Sequence, residues 1–293
     1  MMWLQLEVET TQDYVDQLSI FFEEIGAVSV SISASSSEPI FDECNNDENA
    51  FWDKTKITVL LSAACNIDNL IAQLDKFANG KAIQDCRIEP LEDKDWIDEF
   101  KSKYQPMIFL EKICISPSWC APLKSKIPTI IVDPGLAFGT GAHPTTSLCI
   151  EWFCMNNMEN KVVIDYGCGS GILSMVAAKL GARKVYAVDN DETALEIAQE
   201  NIKNNKLGKI VSTVDTENLS IPKADILVAN ILLNPLMKLY GEFSRLTKKK
   251  SHIILSGVLN EQAEKCLATY RDNFNMDKPV LKKSWVSLHG VRL

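Results

Sequence analysis

Gly167, Gly169 and Gly171 stand directly behind the β-branched run Val162-Val-Ile164. They precede Ile172, Leu173, Val176, Ala177 and Leu180, which recur at helical spacing. The pattern predicts a buried strand, a tight turn and a helix. Glycine admits backbone angles closed to other residues and lets a ligand approach the main chain. A dinucleotide fingerprint would read Gly-x-Gly-x-x-Gly, but Ile172 stands where its third glycine belongs. No Lys-Ser/Thr pair follows, so the turn is not a phosphate-cradling loop. With Asp165 just ahead of it, the turn suits a nucleoside ligand without a pyrophosphate, such as S-adenosylmethionine. The next strand, Val185–Val188, ends in Asp189, 22 positions past Gly167. That is close to the ~20 at which a carboxylate meets ribose hydroxyls in such folds.

Two further stretches carry candidate site residues. Ala224–Ala229 reads as a parallel strand ending in Asn230. A polar amide there stands where open α/β sheets bind ligands, although a turn-forming Asn is the alternative. The loop Asp133–Thr146 is dense in Gly and Pro, and Phe138 among its glycines is expected to pack on a ligand. It opens a helix, Thr145–Met155, with Thr145 or Thr146 as its cap. His143, just before Pro144, reads as a structural hydrogen-bonding residue rather than a general base.

These residues must be placed by a chain of 293 residues, enough for two domains. Its 46% hydrophobic and 24% charged residues are ordinary for a globular protein. Nine scattered cysteines, odd in number and without a Cys-x-x-Cys pair, fit reduced thiols rather than a disulfide framework or zinc site. With no membrane-length apolar run and no export signal, this predicts a cytoplasmic protein. A net charge of −9 argues against direct nucleic-acid binding and favours a small molecule or a basic partner.

The first ninety residues read β-α-β-β-α-β: strands Trp3–Glu9, Val28–Ser33, Lys56–Leu61 and Ala82–Ile88, with helices Tyr14–Ile25 and Ile67–Phe77. That order is the ferredoxin-like split unit. Ser35–Asn49 reads as a loose loop. Residues 90–118 read as a linker that docks on one or both domains: a charged helix Asp93–Tyr104 anchored by Trp96, then an extended segment Pro106–Ile115. Beyond it, strands alternate with helices as in a doubly wound sheet. They include Ile210–Val214 and Ile253–Ser256, with Leu236–Thr247 as a helix closed by Lys248-Lys-Lys250. Pro279–Ser284 and Trp285–Val291 leave no room for a helix between them and are expected to pair antiparallel. The domains are therefore 1–89, a linker 90–118, and 119–293.

The loop Asp133-Pro-Gly-Leu-Ala-Phe-Gly-Thr-Gly-Ala-His-Pro-Thr-Thr146, the turn Asp165–Leu173 and Asn230-Ile-Leu232 together resemble the bacterial ribosomal protein methyltransferases of the PrmA family. The loop is specific to that family; the glycine turn alone marks the wider class I methyltransferases. The resemblance runs over essentially the full length. It implies an α/β fold with a seven-stranded, mostly parallel sheet and helices on both faces, plus the small N-terminal α+β domain. It implies S-adenosylmethionine as donor and amino groups of large-subunit ribosomal protein eleven, lysine side chains and the N-terminal α-amine, as acceptors. The N-terminal domain would recognise that basic substrate, and no membrane, nucleic acid or second copy is expected as a partner. Matched by position, the family's cofactor contacts fall on Thr145, Gly167, Asp189 and Asn230, with Gly169 in the same turn. Tyr166, Ala142 and Asn190-Asp191-Glu192 depart from the family's common residues without removing a ligand-contacting group.

Methyl transfer to an amine needs alignment rather than a metal. Asn230 is not a base, so its expected role is positioning the amine or the cofactor. The Asn/Asp-Pro-Pro-aromatic segment of glutamine and adenine methyltransferases is replaced here by Asn230-Ile-Leu-Leu233, which weighs against that chemistry.

Overall fold

The computed structural model describes residues 3–35, 54–62, 64–76, 82–91, 101, 104–122, 125–133 and 141–293. The chain divides into two compact units, Met1–Glu99 and Phe100–Leu293.

The first unit runs β1 (Trp3–Thr10), α1 (Val15–Glu24), β2 (Ser29–Ala34), β3 (Thr55–Ser62), α2 (Ile67–Lys76) and β4 (Asp85–Leu91). Its antiparallel sheet has the order β2-β3-β1-β4, the ferredoxin-like arrangement. Strict alternation in β1 sends Leu4, Leu6 and Val8 to one face, where β3 adds Ile57, Val59 and Leu61. Leu18 and Phe22 of α1 and Leu70 and Leu74 of α2 complete that core. The loop Ser35–Asn49 lies, apart from Ser35, outside the described residues, as does most of the helix expected at Asp93–Tyr104, with Trp96.

The second unit opens on the segment expected to be extended and to dock. Strands β5 (Met107–Phe109) and β6 (Ile113–Ser116) form a hairpin, and β7 (Thr129–Ile131) pairs parallel to β6. Ile113, Ile115 and Ile130 are buried in the same core as the main sheet's strands. Residues 107–116 are therefore integral to the second unit.

The main sheet follows from α3 (Pro144–Met155), β8 (Val162–Tyr166), α4 (Ile172–Lys179), β9 (Lys184–Asp189), α5 (Glu192–Asn204), β10 (Val211–Asp215) and β11 (Ala224–Asn230). After these come α6 (Leu233–Lys238), α7 (Tyr240–Leu246), β12 (Thr247–Leu259), α8 (Ala263–Tyr270), β13 (Phe274–Met276), β14 (Val280–Lys282) and β15 (Trp285–Arg292). The order is β10-β9-β8-β11-β12-β15-β13, seven strands, with β14 as an eighth paired to β15. The first five are parallel; β15 is antiparallel to β12. Neighbouring residues of β8 serve opposite faces. Val163 packs with Phe153, Val176 and Ile202, and Ile164 packs with Leu236, Phe243 and Tyr270. Burial on both faces explains why these strands read as unbroken apolar runs.

Three sequence expectations change here. The single helix Leu236–Thr247 is two short helices beginning at Leu233. Lys248–Lys250 lies in β12 rather than closing a helix, and Lys248 pairs with Asp225 at 2.6 Å. Phe274–Met276 is a strand that the sequence reading did not contain. Among the described residues no helix is long and apolar enough to cross a membrane.

Candidate active site

The chain winds outward from β8 through β9 to β10, then returns to β11 and β12 on the other side of β8. That reversal opens a crevice at the carboxyl ends of β8 and β11, where open α/β sheets take ligands. A cavity of about 600 Å³ lies there, ample for a nucleoside-sized ligand. Gly167, Gly169, Asp189 and Asn230 all line it, together with Asp165 and Thr146.

The glycine turn is tied to the end of β9. Gly167 and Cys168 N–H both donate to Val188 O, at 2.8 and 3.0 Å, and Gly169 N–H donates to Asp189 Oδ2 at 2.9 Å. Asp189 Oδ1 accepts from Asn190 and Asp191 N–H, at 2.9 and 3.2 Å. The Asp189 carboxylate is thus fixed by three backbone donors. Its two oxygens offer about four acceptor positions, so capacity remains for a ligand hydroxyl.

Asp165 does different work. Gly171 is the N-cap of α4 and has no side chain to offer. Asp165 Oδ2 takes that place, accepting from Ser174 N–H at 2.9 Å and Ser174 Oγ–H at 2.7 Å. The carboxyl is 1% exposed. Burial, opposed by the Ser174 bonds, raises its pKa to about 7, with the Asp189 charge adding to the rise.

Asn230 ends β11. Its Nδ2 donates to Thr146 Oγ1 at 3.2 Å. Its Oδ1 is buried and has no hydrogen-bond partner among the described residues. A buried acceptor without a donor is costly, and one lining a cavity is suited to a ligand's N–H. The segment after it is tightly held. Gly167 and Gly257 both have positive φ, 75° and 84°, and both abut Ile231. A Cβ at Gly167 would strike Ile231 Cγ2; one at Gly257 would lie 2.7 Å from the Ile231 carbonyl carbon.

The helix cap differs from expectation. His143, not a threonine, is the N-cap of α3: its Nδ1 accepts from Thr145 N–H at 3.4 Å, with Pro144 in the first turn. Thr145 Oγ1 lies 2.7 Å from the same nitrogen. Burial, with nearby Lys283, lowers the His143 pKa and keeps the ring a neutral acceptor. Thr145 is 1% exposed and does not line the cavity; its neighbour Thr146 does. Phe138 lies outside the described residues.

The donor set fits S-adenosylmethionine. Asp189 matches a vicinal diol, the glycine turn leaves backbone rather than side chain at the crevice, and the free Asn230 Oδ1 faces a need for an N–H. Asp165 is read from sequence with the glycine turn, whereas Thr146 appears there only as a candidate helix cap. The fixed two-residue neighbourhood of the glycine turn holds a signal for Asp165, but none for Thr146, whose partner is 84 positions away.

Residues 2–293 match the family described as ribosomal protein L11 methyltransferase (PrmA). The chain is similar to the ribosomal protein L11 methyltransferase of Nitrosococcus oceani, 38% identical over 292 residues and all of both chains. It is 40% identical over 296 residues to that of Shewanella woodyi, again over all of both. Among solved structures, the ribosomal protein L11 methylase of Lactobacillus delbrueckii subsp. bulgaricus superimposes with a TM-score of 0.58 at 30% identity. That match covers 64% of this chain and 99% of the other.

Proposed function

Because this chain belongs to the ribosomal protein L11 methyltransferase family, we propose that it moves methyl groups from S-adenosylmethionine to amino groups of ribosomal protein L11. The acceptors are lysine side chains and the N-terminal α-amine. The observation that carries this reading is the buried, unpartnered Oδ1 of Asn230 in the same cavity as Asp189. An N–H of the acceptor amine or of the donor's own amino group satisfies that oxygen, and an amine so held keeps a lone pair for attack.

In this reading Asp189 accepts from the ribose hydroxyls, and Gly167 and Gly169 let the ligand lie against the main chain. When bound, the donor supplies a methyl carbon whose bond to sulfur breaks, the electron pair staying on sulfur, as the amine lone pair forms the new C–N bond. Asn230 Oδ1 accepts one N–H and so aims that lone pair. A lysine amine, of reference pKa ~10.4, must first lose a proton. Exclusion of water by the cavity favours the neutral amine, and the proton passes to solvent. Holding the reactants in line is the main contribution asked of the protein, up to ~7–11 kcal/mol in well-oriented cases.

The unit Met1–Glu99 is the substrate-recognising part, and the net charge of −9 suits a basic ribosomal protein. The enzyme acts in the cytoplasm as a monomer, with no nucleic acid or membrane among its partners. Incubation with labelled methyl donor and purified L11, followed by mass mapping, tests the reading. Label on amino nitrogens of L11 is the expected result. Label on amide nitrogens, or no label on L11, overturns it.

A further inference from the structure

We propose that Asp277, His289 and His252 form a proton-carrying latch that closes β15 onto β12 beneath Trp152, holding through the uptake of one proton and opening on the second. None of these side chains lines the crevice, so the inference goes beyond the methyl-transfer reading. Two hydrogen bonds in series make the latch. His289 Nδ1 lies 2.6 Å from Asp277 Oδ2, and His252 Nδ1 lies 3.0 Å from His289 Nε2. The two imidazoles stack, with 5.2 Å between centroids and 23° between planes. Trp152 of α3 lies 5.6 Å from the ring of His252 and 5.1 Å from that of His289.

The backbone gathers these groups from four places in the chain. β12 and β15 pair antiparallel, with His252 opposite Val291 and Ile254 opposite His289, so the two histidines are diagonal neighbours on one face. Asp277 follows β13, and its own N–H donates to His289 O at 2.8 Å, which sets its carboxylate beside the ring. Trp152 packs against the core and against both rings. The His289 side chain is 18% exposed, so its ring nitrogens depend on these partners rather than on water.

The partners fix the hydrogen count. A carboxylate only accepts, so His289 Nδ1 carries the hydrogen of that bond. Neutral His289 then has a bare Nε2, and His252 Nδ1–H donates to it, which leaves His252 Nε2 as the site for an added proton. When a proton arrives there from water, the hydrogen shared by the rings moves from His252 Nδ1 to His289 Nε2. The charge comes to rest on His289, which now donates at both nitrogens, to Asp277 and to His252 Nδ1. Every hydrogen bond survives this first uptake. The second proton must go to His252 Nδ1, so two N–H groups face each other between two cations, and the bond that closed the latch is lost. The charged groups acting on His252 are His289, Lys161 and Asp277. Burial, then His289 and Lys161, hold its pKa below the ordinary 6.5, and Asp277 opposes them. Two charges 5.2 Å apart, at an effective dielectric constant of about 20, separate the two uptake steps by roughly two pH units.

The test is a pH titration of the imidazole signals by NMR. The chain has three histidines, His143, His252 and His289, all in the second unit. The signals of His252 and His289 should each shift in the same two steps, roughly two pH units apart, because a coupled pair titrates as one system; His143 should show one step. His252→Gln should leave His289 a single step, and Asp277→Asn should move the first step of the pair to lower pH. Urea unfolding followed on the same signals reads the effect of the latch on stability. The unfolded chain takes up the second proton at the ordinary 6.5, and the folded chain only below it. The unfolding constant should therefore rise by up to about tenfold per pH unit as pH falls below about 6.5, and less steeply in His252→Gln. Rings that merely pack together would titrate independently, each in one step. That result in the unaltered chain overturns the proposal whether or not the variants fold. An unfolding constant with the same pH dependence in the unaltered chain and in folded His252→Gln also overturns it.

Discussion

Gly257→Ala puts the geometry around Asn230 under direct strain. At φ +84° an alanine sits in the left-handed region, which costs roughly 1–2 kcal/mol. Its Cβ would also lie 2.7 Å from the Ile231 carbonyl carbon and 3.1 Å from the Ile231 nitrogen, and closer still to the carbonyl oxygen. Restoring ordinary carbon contact means moving that backbone by about 1 Å. Overpacking of this kind costs roughly 1–3 kcal/mol more, for a total of about 2–5 kcal/mol. Gly26→Ala supplies the control: φ is +86° there, but nothing lies within 4 Å of the added carbon. That variant should show the backbone cost alone. Each kcal/mol lowers the melting temperature by about 2–4 °C in a domain the size of the second unit, which holds Gly257, and by about 4–8 °C in one the size of the first, which holds Gly26, so each shift is converted for its own unit. Because Asn230 adjoins Ile231, a 1 Å displacement should also reduce the transfer rate about a hundredfold. Thermal melting and single-turnover transfer to L11 would be measured on both variants. If Gly257→Ala cost its unit no more free energy than Gly26→Ala costs its own and turned over normally, Ile231 would not be clamped and the account of Asn230 positioning would fail.

Asp189→Ala removes a charged acceptor for the ribose hydroxyls, worth ~1.5–3 kcal/mol, so donor affinity by calorimetry should fall about ten- to hundredfold. It also strands Gly169, Asn190 and Asp191 N–H, so melting temperature should drop as well; unchanged affinity would remove Asp189 from the site. Asp165, raised to about 7 in the folded chain, binds a proton there that the unfolded chain has already lost. Its contribution to stability is full below the ordinary carboxyl value of 3.8 and is lost as pH rises through about 7. Asp165→Asn should abolish that decline, seen by denaturant titration at about pH 5 and about pH 8; an identical slope in both proteins would contradict the assignment. A fragment beginning at Phe100 should fold and bind the donor but lose transfer to L11, whereas one beginning at Pro117 should not fold. The shorter piece lacks Phe109, Ile113 and Ile115, which are buried. At ~1.5–3 kcal/mol each, they match much of a domain's net stability. Cooperative melting of the Pro117 fragment would return residues 107–116 to the status of a linker.

The parts legible in the sequence are those specified by neighbours. The glycine turn, Asp165 and Asp189 form from adjacent strand ends at fixed spacing, and β1 and β3 announce themselves by alternation. What was missed depends on distant partners or on residue types that signal nothing. The β5–β6 hairpin turns at Leu110 and Glu111, with φ of 45° and 55°, where Gly or Asn would have marked it. β13 is three residues long, with only Phe274 buried, too short for a period to show. Lys248–Lys250 reads as a solvated helix end because its charges are visible, while the salt bridge to Asp225 and the pairing of β11 with β12 are not. The Thr146 bond to Asn230 arises only when β11 is brought against the start of α3, 84 positions away in sequence.

The arrangement of the site is tested most directly by a crystal structure of the chain with the demethylated donor, S-adenosylhomocysteine, bound. The account predicts the ligand in the crevice between the ends of β8 and β11, its ribose hydroxyls on the Asp189 carboxylate. Its sulfur should lie beside Asn230, with the Asn230 Nδ2 bond to Thr146 retained. A ligand bound elsewhere, or one whose ribose avoids Asp189 while Asn230 points away from the sulfur, would contradict it.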